Sequence, residues 1–356
     1  DFTNDSNHLL MNKFSFFNIS ERNKLVDLRV GEIKFGERIN FIDSSENIDS
    51  FLSQTESKYI IFGICESIGV KANFGRTGTE NTWQIALKSL LNIQHNKTCK
   101  ANHVGVLGYF NFEEENELAK TLNPSIKEDR KQLFKLVEKI DKEIAFLVSK
   151  IIKSNKIPII IGGGHNNAYG NIKGLALAKG RAVNVINFDA HTDFRPLEGR
   201  HSGNGFSYAF EEDFLRNYFI FGIHENYTSK EIFSRIKEND QRVKFNTYEQ
   251  MEIRLEKDFR MELKYAARHI KDNSFGIELD LDAIIQMPSS AMTYSGFSTK
   301  KARQFVSYFA NLENVSYLHI CEGAPNFELE ENKAVLGKFI SYLITDFIKP
   351  NLEVIE

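Results

Sequence analysis

Three short segments hold the residues of this chain best suited to chemistry. They are Gly162-Gly163-Gly164-His165, Asp189-Ala190-His191-Thr192-Asp193 and Asp280-Leu281-Asp282. Together they offer four carboxylates and two imidazoles. In an extended strand end, residues at i, i+2 and i+4 point to one side. That spacing predicts that Asp189, His191 and Asp193 converge, and that Asp280 and Asp282 do the same. So many carboxylates in one site without a cation would cost several kcal/mol in repulsion and desolvation. Divalent ions remove that cost. Oxygen and nitrogen donors without thiolate suit manganese better than structural zinc. Four carboxylates suit two ions better than one, because bridging oxygens let a pair share ligands.

Each segment has a plainer use when taken alone. An isolated Asp-x-His is usually a solvated turn, a His after glycines can cap a helix, and Asp-x-Asp can decorate a surface. The three together, each following an apolar strand, favour the metal.

The elements that must position these residues are legible from periodicity. Apolar runs at 59–64, 104–107, 159–161, 183–188, 219–223, 275–281 and 315–321 read as short strands buried on both faces. Leu133, Leu136, Ile140, Ile144, Leu147 and Ile151 recur at spacings of three and four, which predicts an amphipathic helix within 126–155. Strands apolar on both faces belong to parallel sheets covered by helices. In such sheets chemistry gathers at the carboxyl ends of strands, where nearly every candidate residue falls. The expected fold class is therefore α/β, a three-layer α/β/α arrangement around a mainly parallel sheet. Residues 1–56 are polar and weakly patterned, and read as an N-terminal extension with one or two short elements, packed on a domain spanning 57–356.

The whole chain narrows the function classes. It has 356 residues, 42% of them hydrophobic, and a formal net charge of -3. That balance argues against a dedicated nucleic-acid binder. The three cysteines, Cys65, Cys99 and Cys321, form neither a disulfide framework nor a zinc cluster, so a reducing, cytoplasmic setting is expected. No apolar run is long enough to span a bilayer. The start, Asp1-Phe2-Thr3-Asn4-Asp5, lacks the basic and apolar parts of a secretory signal.

Taken together, the three segments resemble the motifs of the ureohydrolase (arginase-like) superfamily: Gly-Gly-x-His, Asp-Ala-His-x-Asp and Ser-x-Asp-x-Asp. The resemblance covers roughly residues 60–345 and includes Asn73-Phe74-Gly75-Arg76-Thr77-Gly78, similar to the family's Asn-x-Gly-Arg-x-Gly. It implies a metal-dependent hydrolase with two Mn2+ ions per subunit. One ion would take His165, Asp189, Asp193 and Asp280; the other would take His191, Asp189, Asp280 and Asp282. It further implies a hydroxide shared by the ions, attack on a planar amidine or guanidine carbon, and a proton supplied through Asp282 or a relayed water. Glu322, in Cys321-Glu322-Gly323-Ala324-Pro325, matches the family's Glu-x-x-Pro and would hold the cationic amidinium or guanidinium. Family members often form trimers or hexamers, which leaves a homo-oligomer open.

Within the superfamily the chain is most similar to formimidoylglutamases. Asp193-Phe194-Arg195-Pro196 resembles their Asp-x-Arg-Pro, and His201-Ser202-Gly203-Asn204-Gly205-Phe206 their His-Ser-Gly-x-x-Phe. Arg195 and Asn204 are accordingly candidate substrate contacts, Arg195 through a distal carboxylate. A salt bridge from Arg195 to Glu198 or Asp193 is the plainer alternative. The implied substrate is N-formimidoyl-L-glutamate, hydrolysed to glutamate and formamide in histidine catabolism. Hydrolysis of arginine, agmatine or another guanidino compound to urea, and an inactive metal-binding scaffold, are the competing expectations. Two departures stand out. Ser207 occupies a place where formimidoylglutamases carry Arg, and Glu278 replaces the Ser of the third motif, either beside the ligands or turned outward.

Overall fold

The continuous apolar runs form the middle of a ten-stranded sheet. The computed structural model describes residues 11–42, 47–326 and 328–352; the polar stretch at 1–5 lies outside them. In chain order the strands are β1 (Phe14–Phe16), β2 (Asn40–Phe41), β3 (Tyr59–Cys65), β4 (Val104–Asn111), β5 (Ile157–Ile161), β6 (Val183–Phe188), β7 (Leu215–Ile223), β8 (Val243–Thr247), β9 (Phe275–Asp280) and β10 (Val315–Cys321). They lie side by side in the order β1-β4-β3-β5-β10-β9-β6-β7-β8, with β2 also pairing β4. Every pairing is parallel except β1 with β4.

Helices cover both faces, as buried parallel strands require. The principal ones are α1 (Thr82–Leu91), α2 (Lys127–Lys153), α3 (Ala168–Lys179), α4 (Phe259–Ile270), α5 (Thr299–Ala310) and α6 (Glu330–Leu352). One apolar core joins α1, α4, α5 and α6 to the sheet through residues such as Leu90, Ile270, Phe305 and Ile340. The other joins α2 and α3 to the opposite face through Leu136, Ile140, Ile144 and Ile172. The three-layer α/β/α architecture is thus present, and α2 buries the predicted stripe from Leu133 to Ile151. Among the described residues no helix is long and apolar enough to cross a membrane.

The N-terminal segment contains more than one or two elements. Besides β1 and β2 it forms helical turns at Ile19–Leu25 and Ile48–Gln54, each started by an asparagine whose side chain accepts a backbone N–H. Through β1 and β2 it extends the sheet beyond β4.

One topological fact decides where chemistry can occur. The strands β5, β10, β9 and β6 are neighbours in the sheet, yet come from distant parts of the chain. Their carboxyl ends therefore bring four separate loops to one spot.

Candidate metal centre

Each of these four strands delivers polar residues as its apolar run ends. β5 runs into the glycine turn and then His165; β6 into Asp189, His191 and Asp193. β9 ends on Asp280, with Asp282 in the next turn, and β10 is followed by Glu322. The glycine turn is needed locally. Gly163 adopts φ +65°, and a Cβ there would fall 2.3 Å from Asn167 Nδ2 and 2.8 Å from Glu66 Oε1. Glu66, fully buried just after β3, accepts the Gly164 N–H at 2.8 Å and Asn167 Nδ2 at 2.7 Å, which fixes the turn.

The six predicted donors come together. His165 Nδ1 lies 2.7 Å from Asp193 Oδ2, 3.1 Å from Asp189 Oδ2 and 3.3 Å from Asp280 Oδ2. His191 Nδ1 lies 3.0 Å from Asp282 Oδ2 and 3.7 Å from Asp189 Oδ1. One donor group consists of His165, Asp189, Asp193 and Asp280, a second of Asp189, His191 and Asp282, with the donor atoms of each group within 4.8 Å of one another. Asp189 belongs to both groups. Asp280 belongs to the first.

The electrostatics fit a cationic occupant. Burial, reinforced by the Asp189 charge, raises the Asp193 carboxyl to about 6. Burial and the Asp282 and Asp189 charges push Asp280 well above the carboxylate range. Burial likewise raises Glu322 to about 8. Asp189 is held below its ordinary value: burial opposes this, but the two neighbouring imidazoles, His165 and His191, prevail. His191 is raised well above normal, chiefly by Asp282. Without a cation, then, protons must replace it. Three buried atoms add to the case. His165 Nδ1, His165 Nε2 and Asp282 Oδ1 make no hydrogen bond among the described residues, despite the close carboxylates around Nδ1. A ring nitrogen amid three carboxylate oxygens, too poorly aligned to hydrogen-bond any of them, is arranged as a metal ligand would be.

Glu322 reaches the same floor. Its Oε1 accepts the His165 N–H at 2.6 Å, and its Oε2 accepts the Ser290 hydroxyl. Ser290 sits in a loop clamped by Arg76, which donates to the carbonyls of Ser289 at 2.8 Å and Ala324 at 2.7 Å. Asp193 (φ +44°) and Glu322 (φ +64°) both adopt left-handed backbone.

Above the donors opens a cleft of about 680 Å³, bordered by His191, Asp193, Asp280, Asp282, Glu322 and Arg195 among others. Arg195 is half exposed at its rim and already paired, donating to Glu198 at 2.8 Å and to Asn73 Oδ1 at 2.9 Å. The salt bridge named as the plainer alternative therefore exists. Asn204 is a correction. It is fully buried and off the cleft, its carboxamide bonded to Arg200, the His201 N–H and the Gly199 carbonyl. The expected substrate contact instead holds its motif loop from within. Phe206 also lies beneath the site, edge-on to His165 at 5.1 Å and stacked on Tyr218 at 4.5 Å. Glu278 turns inward and is fully buried.

Sequence reasoning missed Glu66, Ser290 and Arg235, and gave Asn73 a place in a motif but no role. Glu66 obeys the same rule as the donors, a polar residue directly after an apolar strand. Arg235 comes from the helix Lys230–Glu238 and donates to Ser207 Oγ at 2.9 Å, so a cation borders the cleft near Ser207 after all. No local signal marks it. A groove of about 700 Å³ between α4 and α5, lined by Arg260, Lys300 and Arg303, contains none of the donors.

A model of the arginase family matches residues 80–344. The chain belongs to the arginase family. Among curated relatives, the formimidoylglutamase of Macrococcus caseolyticus is 36% identical over 107 residues, 30% of this chain and 34% of that protein. The chain spans about a third of the length of the first curated relatives it matches. Among solved structures, formimidoylglutamase from Bacillus subtilis superposes with a TM-score of 0.70 at 18% identity, covering 92% of this chain and 94% of that one. Trypanosoma cruzi formiminoglutamase with Mn2+ gives 0.68 at 18% identity, covering 89% and 98%. At such identity the likeness is one of fold.

Proposed function

We propose that this arginase-family chain is a hydrolase that uses two Mn2+ ions to cleave a C–N bond of a linear amidine, with N-formimidoyl-L-glutamate as substrate and glutamate and formamide as products. The observation that carries the reading is the pair of donor groups sharing Asp189 at the floor of one cleft. His165, Asp189, Asp193 and Asp280 would hold one ion, and His191, Asp189, Asp280 and Asp282 the other. The manganese in the Trypanosoma cruzi relative and the donor set without thiolate support that metal. When bound, such ions neutralise the carboxylates and ionise a water near neutral pH.

The chain's own groups do the rest. Glu322 Oε2, held by Ser290, accepts an N–H of the amidinium and fixes its plane. Asp282 Oδ1, without a partner among the described residues, carries a proton to the departing amine. Arg195 at the rim attracts a substrate carboxylate. Residues 57–356 form the working domain, with 1–56 as an N-terminal extension packed on it and contributing β1 and β2 to its sheet. Three buried free cysteines suit a cytoplasmic setting.

A second reading, a guanidino hydrolase releasing urea, draws on one observation. Glu198 already offsets the Arg195 charge, which weakens the preference for an acidic substrate. A substrate panel with the manganese-loaded protein, assaying formamide, ammonia and urea separately, decides between them. Formamide from formimidoylglutamate alone supports the first reading. Urea from arginine or agmatine supports the second, and no product with any amidine or guanidine overturns both.

A further inference from the structure

Behind His165, on the side away from the cleft, lies a buried ionic pair that the proposed reaction does not use. Glu278 on β9 and His319 on β10 are direct neighbours in the parallel register, and both are fully buried. His319 Nδ1 lies 2.5 Å from Glu278 Oε2, and His319 Nε2 lies 3.1 Å from the Gly162 carbonyl oxygen. A carbonyl only accepts, so Nε2 carries a hydrogen. A contact of 2.5 Å between Nδ1 and a carboxylate oxygen needs a hydrogen between them as well. Wherever that hydrogen rests, the pair is neutral as a unit. Tyr317 OH at 2.9 Å and Asn171 Nδ2 at 3.2 Å donate to the other oxygen, Glu278 Oε1.

Glu278 also faces the His165 ring, and Cys321 Sγ completes that cluster, the facing atoms of the three lying within 4.8 Å of one another. His165 Nε2 is 3.3 Å from Glu278 Oε2, fully buried, and without a hydrogen bond among the described residues. The opposite nitrogen of the same ring, Nδ1, faces Asp189, Asp193 and Asp280. Ligating histidines almost always present their second ring nitrogen to a carboxylate, a carbonyl or a water.

We infer that Glu278, held and neutralised by His319, is a positioning residue for His165: it takes the Nε2 hydrogen and so directs the Nδ1 lone pair at the cation-binding carboxylates. This rests on the proposed metal centre. It also accounts for the departure from the Ser-x-Asp-x-Asp motif. A carboxylate here adds no net charge to the donor cluster, because its counter-charge comes from the adjacent strand. The two residues form a unit, since either alone would bury an unpaired polar group.

Calorimetric titration of Mn2+ into the metal-free full-length protein tests this. The variants are Glu278→Leu/His319→Leu, which removes the pair while filling its volume, and Glu278→Gln, whose amide oxygen can still accept the Nε2 hydrogen. Circular dichroism and thermal unfolding verify that each is folded. The double variant is expected to weaken one Mn2+ step by about 10–100-fold and leave the other within about threefold, with Glu278→Gln closer to wild type. The electron paramagnetic resonance of the variant loaded with one equivalent should then report a single site filled first. A folded double variant that binds both ions like wild type overturns the inference. So does equal weakening of both steps, which marks a general packing defect. Wild-type protein that binds no Mn2+ would instead sink the metal centre itself, and this inference with it.

Discussion

Glu322 Oε1 accepts the backbone N–H of His165 at 2.6 Å, which ties the end of β10 to the first donor after β5. The carboxylate proposed to face substrate is thus aligned by the chain segment that carries a proposed ligand. Its position is not that of a mobile surface side chain.

Replacing Glu322 with Gln should lower kcat by roughly 10–100-fold, the effect of losing a charge-assisted hydrogen bond worth about 1.5–3 kcal/mol. Bound manganese should stay at the wild-type level. Ser290→Ala should show a smaller loss in the same direction, because Ser290 only orients Glu322. Steady-state kinetics beside elemental analysis checks both, and unaffected turnover in Glu322→Gln would remove its role at the substrate.

Asp189 belongs to both donor groups, whereas Asp193 belongs to the first and Asp282 to the second. Asp189→Ala should therefore strip both ions and all activity. Asp193→Ala should weaken one binding step and spare the other, and Asp280→Ala, removing the proposed second bridging ligand, should again remove metal and activity together. Full manganese occupancy in Asp189→Ala would contradict the shared-ligand assignment.

Arg195→Ala should raise KM for an acidic substrate with little change in kcat. The effect should be modest, about threefold to tenfold, because Glu198 offsets the charge and solvent screens it. Glu198→Ala should shift KM the opposite way by freeing the guanidinium. If neither variant moves KM, the distal carboxylate is recognised elsewhere, with Arg235 the other arginine bordering the cleft.

Stability of the metal-free protein should fall as pH rises. A carboxyl whose value is raised by folding stabilises the fold below its unfolded value and loses that contribution as pH passes the folded value. Asp193, raised to about 6, and Glu322, raised to about 8, place the loss between about pH 4 and 8. His191, also raised, acts in the same sense. Asp189 is lowered and acts oppositely, but only in acid, below the ordinary carboxylate value. Manganese binding releases the protons it displaces and strengthens with pH, so the loaded protein should show the reverse trend. Thermal melts across that range, with chelator and with Mn2+, would expose the difference as diverging Tm values; parallel curves would count against the ion-linked carboxylates.

Much of this arrangement is legible in the sequence. Apolar runs ending in Asp189, Asp280 and Glu322 located strands and donors together, because a buried parallel strand has no polar side to hide a carboxylate. The alternation of an extended strand does not account for the convergence, however. Asp189, His191 and Asp193 follow β6 in irregular chain, and Asp193 sits at φ +44°, so a bend rather than a pleat gathers them. Arg235 was invisible because it reaches Ser207 from a helix about thirty positions later, and sequence spacing says nothing about contacts between layers. Asn204 misled because a polar side chain serves a loop's interior as readily as a ligand, and only burial distinguishes the two. The two N-terminal strands were hidden by their shortness, three residues and two.

The left-handed backbone at Asp193 and Glu322 has a consequence for anyone wishing to toughen this protein. Such positions are where glycine normally brings relief, since a side chain there carries about 1–2 kcal/mol of conformational penalty. On the proposed reading, relief and catalysis exclude one another here, because glycine would delete a proposed metal ligand in one case and the proposed amidinium anchor in the other. Such relief would have to be sought at other left-handed positions, such as Asn155, Asp213 and Leu255, while these two sites keep their tension.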